Sequence, residues 1–275
     1  MMINTPKEEV KKALERVQNI VYEDGNPSDI AYFNYHKARY YRMAVTLMSY
    51  QSDEELSILN MGSHYLHVSL LFKFLGCKVD SMDVSEFWNI DFIKLRAQKF
   101  HLEQIVDDNF ETLESINGSS DKYDIILFTE ILEHITFNPI VFWQKIYALV
   151  KDNGLIYIST PNSMSLANIV KSITRILTFR GIGIPVNEIF NNVTYGHHWK
   201  EYSSSEIKRY FNKMSDDFRV ITSRYHYKKI KIEGLNSGLT AILNFIGNRI
   251  FLSDDIEAVI KVNKSDNWKI KPPKY

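Results

Sequence analysis

Apolar residues at Val10, Ala13, Leu14, Val17 and Val21 recur at the three-and-four spacing of a helix that buries one face. Thr5-Pro6-Lys7-Glu8 just before them predicts the start of that helix, as a capping box with proline at the first helical position. A loop around Asp24–Ser28 follows, then a second helix from about Tyr32 to Met48. From Leu56 the pattern changes to short apolar runs alternating with helical stretches. Strands are expected over 57–61, 78–82 running into Asp83, 104–106 (weakly), 123–128 and 155–159, the last stopped by Pro161. Helices are expected over 68–75, closed by Gly76, over 86–100, and from Pro139 to about Lys151, with Asn138 as cap and Gly154 just beyond.

Residues 162–200 break this rhythm. A helix plus a loop carrying Gly181, Gly183 and Pro185 is expected there, and insertions of this length often serve as lids or substrate-binding segments. Ser203-Ser204-Ser205-Glu206 is a second capping box, followed by Ile207, Tyr210, Phe211 and Met214 on one helical face. Closing strands are expected over 218–222 and 256–262, with an apolar helix over Leu239–Phe251 between them. The order predicts a doubly wound α/β fold: a mainly parallel seven-stranded sheet with helices on both faces. Residues 1–50 form an N-terminal helical cap in this reading, and 51–275 one domain with 162–200 inserted.

Composition narrows the function classes. The 275 residues are 45% hydrophobic and 24% charged, so a folded core is expected rather than disorder. Lys+Arg and Asp+Glu both total 33, and this balance gives no reason to expect long nucleic acid as a partner. Cys77 is the sole cysteine, which excludes an internal disulfide and a cysteine-based zinc cluster. The first residues lack a basic-then-apolar leader, and no apolar run reaches the ~18 residues that span a bilayer. A cytoplasmic location is the expectation.

A sheet of this kind binds its ligand beyond the carboxyl ends of its strands. Gly62 follows the first strand, where the chain must turn tightly and approach a ligand. Asp83 ends the second strand, where a carboxylate can accept both hydroxyls of a ribose; capping the next helix is its simpler role.

Five blocks now carry a resemblance. They are Ile58-Leu59-Asn60-Met61-Gly62, then Val79 to Val84, then Tyr123 to Ile135 with its Thr129-Glu130-Ile131-Leu132-Glu133-His134 core, then Leu149 to Asn162, then Gly196-His197-His198-Trp199-Lys200-Glu201-Tyr202. In this order the chain from Leu56 to Val262 resembles the class I S-adenosylmethionine-dependent methyltransferases. The resemblance implies a Rossmann-like methyltransferase fold and S-adenosyl-L-methionine as cofactor. It implies cofactor contacts from Asn60, Gly62, Ser63, His64, Asp83 and Thr129, and an adenine site near Asp108, Asn109 and Phe110. It also suggests Arg39, on the preceding helix, as a partner for the cofactor carboxylate, against the alternative of a surface arginine. One departure stands out. The family's first loop usually has an acid and three alternating glycines, whereas here it reads Asn60-Met61-Gly62-Ser63-His64-Tyr65-Leu66. Two side chains therefore stand where glycine gives the backbone its freedom.

Glu130, Glu133 and His134 fall at i, i+3 and i+4 if a helical turn begins after Phe128. Some relatives with a similar Glu-x-x-Glu-His arrangement use a divalent metal, for which these three are the ligand set; many others have none, and there the same letters serve structure or base work. His197 and His198 lie on a loop after the insertion, where one imidazole facing inward can act as a base. Catalytic candidates are thus His134, Glu130, His197 and His198. Methyl transfer is an in-line displacement on an activated carbon, so alignment matters most and a base is needed only for a weakly acidic hydroxyl. The expected acceptor is a small molecule or a sugar, methylated on oxygen. Two readings compete. One is a noncatalytic relative with a degenerate first loop. The other, a nicotinamide-dependent oxidoreductase, lacks its Gly-x-Gly-x-x-Gly loop here.

Overall fold

A computed structural model describes residues 6–50, 55–116, 118, 120–179, 181, 183–184, 186–191, 196–225, 238, 241–242, 245 and 252–273. The chain opens with two helices, α1 (Pro6–Asp24) and α2 (Pro27–Met48). The second begins earlier than the apolar pattern suggests. The Asn26 side chain accepts from the N–H groups of Ser28 and Asp29 at 3.0 and 3.1 Å, and Pro27 fixes the first turn.

The sheet then builds up from β1 (Ser57–Met61), β2 (Lys78–Asp83), β3 (Glu103–Val106), β4 (Tyr123–Thr129), β5 (Val150–Pro161), β6 (Phe218–Tyr225) and β7 (Asp255–Val262). Its order is β3-β2-β1-β4-β5-β7-β6. The pairs β1–β2 and β2–β3 run parallel, while β7 lies antiparallel to both β5 and β6. Between strands lie α3 (His67–Phe74), α4 (Ser85–Trp88), α5 (Asp91–Lys99) and α6 (Ile140–Leu149). The single helix expected over 86–100 is divided: Trp88 turns inward and donates its indole N–H to Ile105 O at 3.1 Å, which closes α4 after one turn. Gly154 does not end a helix. It lies within β5, and a Cβ there would meet a Val150 methyl at 2.7 Å and Asp124 O at 3.0 Å.

The insertion holds α7 (Leu166–Leu177) and α8 (Val186–Asn191), and α9 (Ser204–Met214) follows it with the reciprocal Ser203–Glu206 capping box in place. Pro185, most of the Leu239–Phe251 stretch, and Thr5 of the first capping box fall outside the described residues. No helix among the described residues is long and apolar enough to cross a membrane.

The fold comprises two compact units, Met1–Leu127 with Lys145–Gly154, and Phe128–Gln144 with Leu155–Tyr275. The first buries Val10, Val17 and Val21 of α1 and Ile58, Leu59, Leu70 and Met82. It ends in the β1–α3 loop and the tip of β2. The second centres on an aromatic stack in which Trp143 meets Phe128 and Phe211 at ring separations of 5.1 and 4.8 Å, and its indole N–H finds the Tyr210 hydroxyl at 2.8 Å. That stack fixes the end of β4, from which the acidic segment emerges.

Candidate active site

The predicted residues gather into two groups, one in each unit. In the first unit the β1–α3 loop takes the left-handed path of a glycine loop although glycine is present only at its start: φ is 62° at Gly62, 46° at His64 and 66° at Leu66. For residues with a Cβ this costs roughly 1–2 kcal/mol each, so surrounding contacts must impose it. The Ser63 N–H donates to Met82 O at 3.0 Å, and the His64 N–H donates to Asp83 Oδ2 at 2.6 Å. The Val84 N–H donates to the other oxygen, Asp83 Oδ1, at 2.8 Å. Burial pushes the Asp83 carboxyl up to about 6, although those two N–H groups favour its anion.

The His64 ring packs against Tyr65, Tyr32 and Phe87, with centroids 3.9, 4.4 and 4.5 Å away, and burial holds its pKa down at about 4. Sequence reasoning did not find this aromatic box, because Tyr32 and Phe87 come from helices whose pairing with the loop no local pattern encodes. Arg39 is not a surface residue. It is buried, and its guanidinium contacts His36 Nδ1.

Asp108 and Asn109 lie on an exposed turn after β3. Asp108 accepts from the Ser85 N–H at 2.6 Å, Asn109 from the N–H groups of Glu111 and Thr112, and Phe110 is half-buried beside them. The buried acid of that turn is Asp107, which accepts from Asn109 and Ser115.

The residues present fit a bound nucleoside cofactor. Asn60 donates its amide to Ser69 Oγ at 2.9 Å, but its Oδ1, together with Ser63 Oγ and His64 Nδ1, is buried with no partner among the described residues. Such atoms cost about 1–3 kcal/mol each when left unmet, and three of them at the end of β1 and on the loop after it point to a polar ligand.

In the second unit Thr129 closes β4 and the chain reverses at Glu130 (φ 57°), whose N–H donates to Ser159 O at 2.8 Å. A 3-10 turn over Leu132–His134 follows. The acids and the imidazole therefore meet through a strand end and a tight turn, not along one helical face. Glu133 is fully buried. Its Oε2 accepts from Thr160 Oγ1 at 2.9 Å, Oε1 has no hydrogen-bond partner among the described residues, and burial with the nearby Glu130 carboxylate raises the carboxyl to about 8.

The 196–200 loop is pinned to this turn from both sides. The Trp199 N–H donates to Glu133 O at 2.9 Å, and His134 Nδ1 lies 3.0 Å from His197 O. A carbonyl only accepts, so Nδ1 carries the proton and Nε2 of His134 keeps its lone pair. His134 Nε2 lies 4.0 Å from Glu133 Oε1. Burial and the neighbouring His198 lower the His134 pKa, keeping it neutral, whereas the bond to Glu201 raises that of His198. The His198 ring stands edge-on to His134 with centroids 5.0 Å apart, and its Nδ1 meets Glu201 Oε1 at 3.1 Å. His197 is instead buried against Trp199. Glu133, His134 and His198 can each offer a donor atom within 4.8 Å of the others. Glu130 is not part of that trio, so the ligand set expected from sequence changes by one residue.

A family model described as a methyltransferase domain matches residues 33–221, more than half of the chain. The chain belongs to the methyltransferase domain family. Its fold is the Rossmann-like sheet that solved methyltransferase structures share. A ubiquinone biosynthesis O-methyltransferase of Bradyrhizobium diazoefficiens is 38% identical over 88 residues, 32% of this chain and 33% of that protein. The protein of the same name from Bartonella tribocorum is 28% identical over 138 residues, covering 50% of this chain and 53% of the relative. The match thus spans about a third to a half of the length of these relatives. A solved structure of a SAM-dependent methyltransferase from Archaeoglobus fulgidus superposes with a TM-score of 0.51 at 17% identity, covering 84% of this chain and 99% of that one. That likeness speaks for the fold.

Proposed function

We propose that this methyltransferase transfers its methyl group to the oxygen of a small-molecule acceptor and that His134 is the base. The acceptor oxygen attacks the methyl carbon, the carbon–sulfur bond breaks with its electrons retained on sulfur, and the hydroxyl proton passes to His134 Nε2. S-Adenosylhomocysteine and the methyl ether are the products. The observation that carries this reading is the fixed tautomer: the His134 Nδ1 contact with His197 O at 3.0 Å leaves Nε2 as a proton acceptor on a half-buried ring. The names of these two curated relatives, both O-methyltransferases of ubiquinone biosynthesis, support oxygen as the atom modified. Asn60, Gly62, Ser63, His64 and Asp83 hold the cofactor in this reading, with Asp83 accepting from the ribose.

A cavity of about 400 Å³ in the second unit is lined by Asn168, Lys171, Arg175, His198, Trp199 and Glu201. It draws on the insertion, which supports residues 162–200 as the acceptor-binding segment. Two cations and one indole in that lining suit an aromatic or sugar hydroxyl compound that also carries an anionic group. Incubation with S-adenosylmethionine and pools of phenols, hydroxy acids and sugar phosphates, read by mass spectrometry, tests the proposal. A methyl ether on an anionic acceptor is the expected product. Methylation confined to nitrogen or carbon would refute it.

A second reading has its own observation. Nδ1 of His134 and of His198 are both engaged, by His197 O and Glu201 Oε1, which is the outer-shell arrangement of metal-bound histidines. Glu133, His134 and His198 would then hold a divalent cation, which would lower the pKa of a bound hydroxyl. Activity that a chelator abolishes and Mg²⁺ or Zn²⁺ restores would favour it; activity indifferent to chelator returns the role to His134 alone.

A further inference from the structure

The cofactor loop raises a question that its own residues do not answer: what keeps His64 and Leu66 left-handed where glycine would go there freely. The hydrogen bonds from outside the loop answer it. Arg96, on α5, is 2% exposed. Its Nη1 donates to Tyr65 O at 2.7 Å, the carbonyl lying between the two left-handed residues. The rest of the guanidinium is gripped by two carboxylates at the α1–α2 corner. Nε and Nη2 reach Asp24 Oδ2 at 2.9 and 2.6 Å, and Nη2 also reaches Asp29 Oδ2 at 2.5 Å. Asp29, fully buried, pairs through Oδ1 with His67 Nε2 at 2.6 Å, and His67 opens α3 directly after the loop.

The loop is thus held at three successive points: the N–H of His64 by Asp83, the carbonyl of Tyr65 by Arg96, and the imidazole of His67 by Asp29. A guanidinium shared by two acids and closed off from water is a poor source of stability compared with an apolar core of the same volume. Fixing one arrangement among several is its best-attested use. Lysine would not substitute, because its three N–H donors sit on one nitrogen and cannot span the positions that Nε, Nη1 and Nη2 occupy against Asp24, Asp29 and Tyr65 O.

We propose that Arg96 is a positioning residue for cofactor binding, which enforces from outside the loop the backbone path that glycines would otherwise permit. Asp24 and Asp29 anchor it. This rests on the reading that the Gly62–Leu66 loop and Asp83 hold the cofactor.

A double-mutant cycle on the intact chain tests it, with S-adenosylhomocysteine affinity measured by calorimetry. Arg96→Lys is expected to weaken binding about tenfold in the wild-type background, which is about 1.4 kcal/mol. In the His64→Gly background, where one of the two left-handed side chains no longer needs enforcement, the same change is expected to cost less than about threefold. A merely structural role would give equal losses in both backgrounds, and equal losses, or no loss in either, overturn the proposal. Should Arg96→Lys not fold, Asp24→Asn replaces it, since Asp24 is a quarter exposed and its change leaves the Asp29–His67 pair intact. A loss of about threefold, relieved by His64→Gly, supports the proposal, and wild-type affinity overturns it. Asp83→Ala serves as reference. Unchanged affinity there removes the cofactor-loop reading itself, whereas a weak Asp83→Ala beside an unaffected Arg96→Lys removes only the positioning role.

Discussion

The His64 N–H lies 2.6 Å from Asp83 Oδ2, so the first loop of the sheet is tied to the acid that ends the second strand. That acid is buried and its carboxyl raised to about 6, so the free protein is about half protonated there near pH 6. A ribose hydroxyl donates to the anion, so bound cofactor favours the ionised form. Affinity for S-adenosylhomocysteine is therefore expected to be full about one unit above that pKa and to fall as pH drops through about 6, while Asp83→Asn shows little change between pH 5 and 7. The His64 imidazole, held down at about 4, does not titrate in that window. Free-protein stability has the opposite sign. The folded pKa exceeds the unfolded one, so the group's contribution is fully present below about pH 4 and is lost as pH rises through about 6. Calorimetric titrations across pH 5–7 would check the binding half, and a wild-type affinity that rises toward acid would contradict it.

Removing the carboxylate altogether, by Asp83→Ala, takes away the proposed ribose acceptor and leaves the His64 and Val84 N–H groups without theirs. Charge-assisted hydrogen bonds of this kind contribute about 1.5–3 kcal/mol each, so affinity should fall at least about tenfold. An unaltered dissociation constant would move the cofactor elsewhere.

Gly154 gives a prediction about stability alone. An added Cβ would lie 2.7 Å from a Val150 methyl, 2.9 Å from Lys151 O and 3.0 Å from Asp124 O. Two of the three neighbours are backbone and cannot swing aside. Gly154→Ala should destabilise the fold by about 1–3 kcal/mol, the usual cost of overpacking. Denaturant unfolding would show it as a lower midpoint, and an unshifted midpoint would mean that the β5 backbone moves.

Much of the fold was legible because each element had a local cause. Period-two and period-3.6 apolar runs, the Ser203 capping box and Pro161 mark boundaries that hold in the structure. The misses have identifiable causes, one local and one tertiary. Asn26-Pro27 starts α2 ahead of its apolar face, and Trp88 interrupts a helical period because β3 offers its indole a carbonyl. Within the candidate site, the sequence shows that Asp83 ends β2 and that Glu133 and His134 follow β4. It cannot show that Arg96, near the end of α5, reaches the Tyr65 carbonyl, or that Thr160 meets Glu133, because those pairs depend on tertiary packing. An arginine at a helical position reads as solvated until the acids around it are seen.

His134 and Asp83 belong to different compact units and are expected to separate in kinetics. The His134 ring makes one polar contact that fixes its tautomer, and in the proposed mechanism Nε2 receives a proton only as the acceptor reacts. His134→Ala should leave S-adenosylhomocysteine affinity within about twofold while lowering kcat by about a hundredfold or more, the usual contribution of a positioned base. The loss should track acceptor acidity. A phenol bearing an electron-withdrawing substituent is already partly ionised and needs the base least, so the variant should lose less with it than with an unactivated alcohol. Equal losses across acceptors of different pKa would show that the side chain aligns the substrate without taking its proton. Unaltered turnover with every acceptor would remove His134 from the chemistry and leave His198, whose imidazole is turned toward Glu201, as the base to test next.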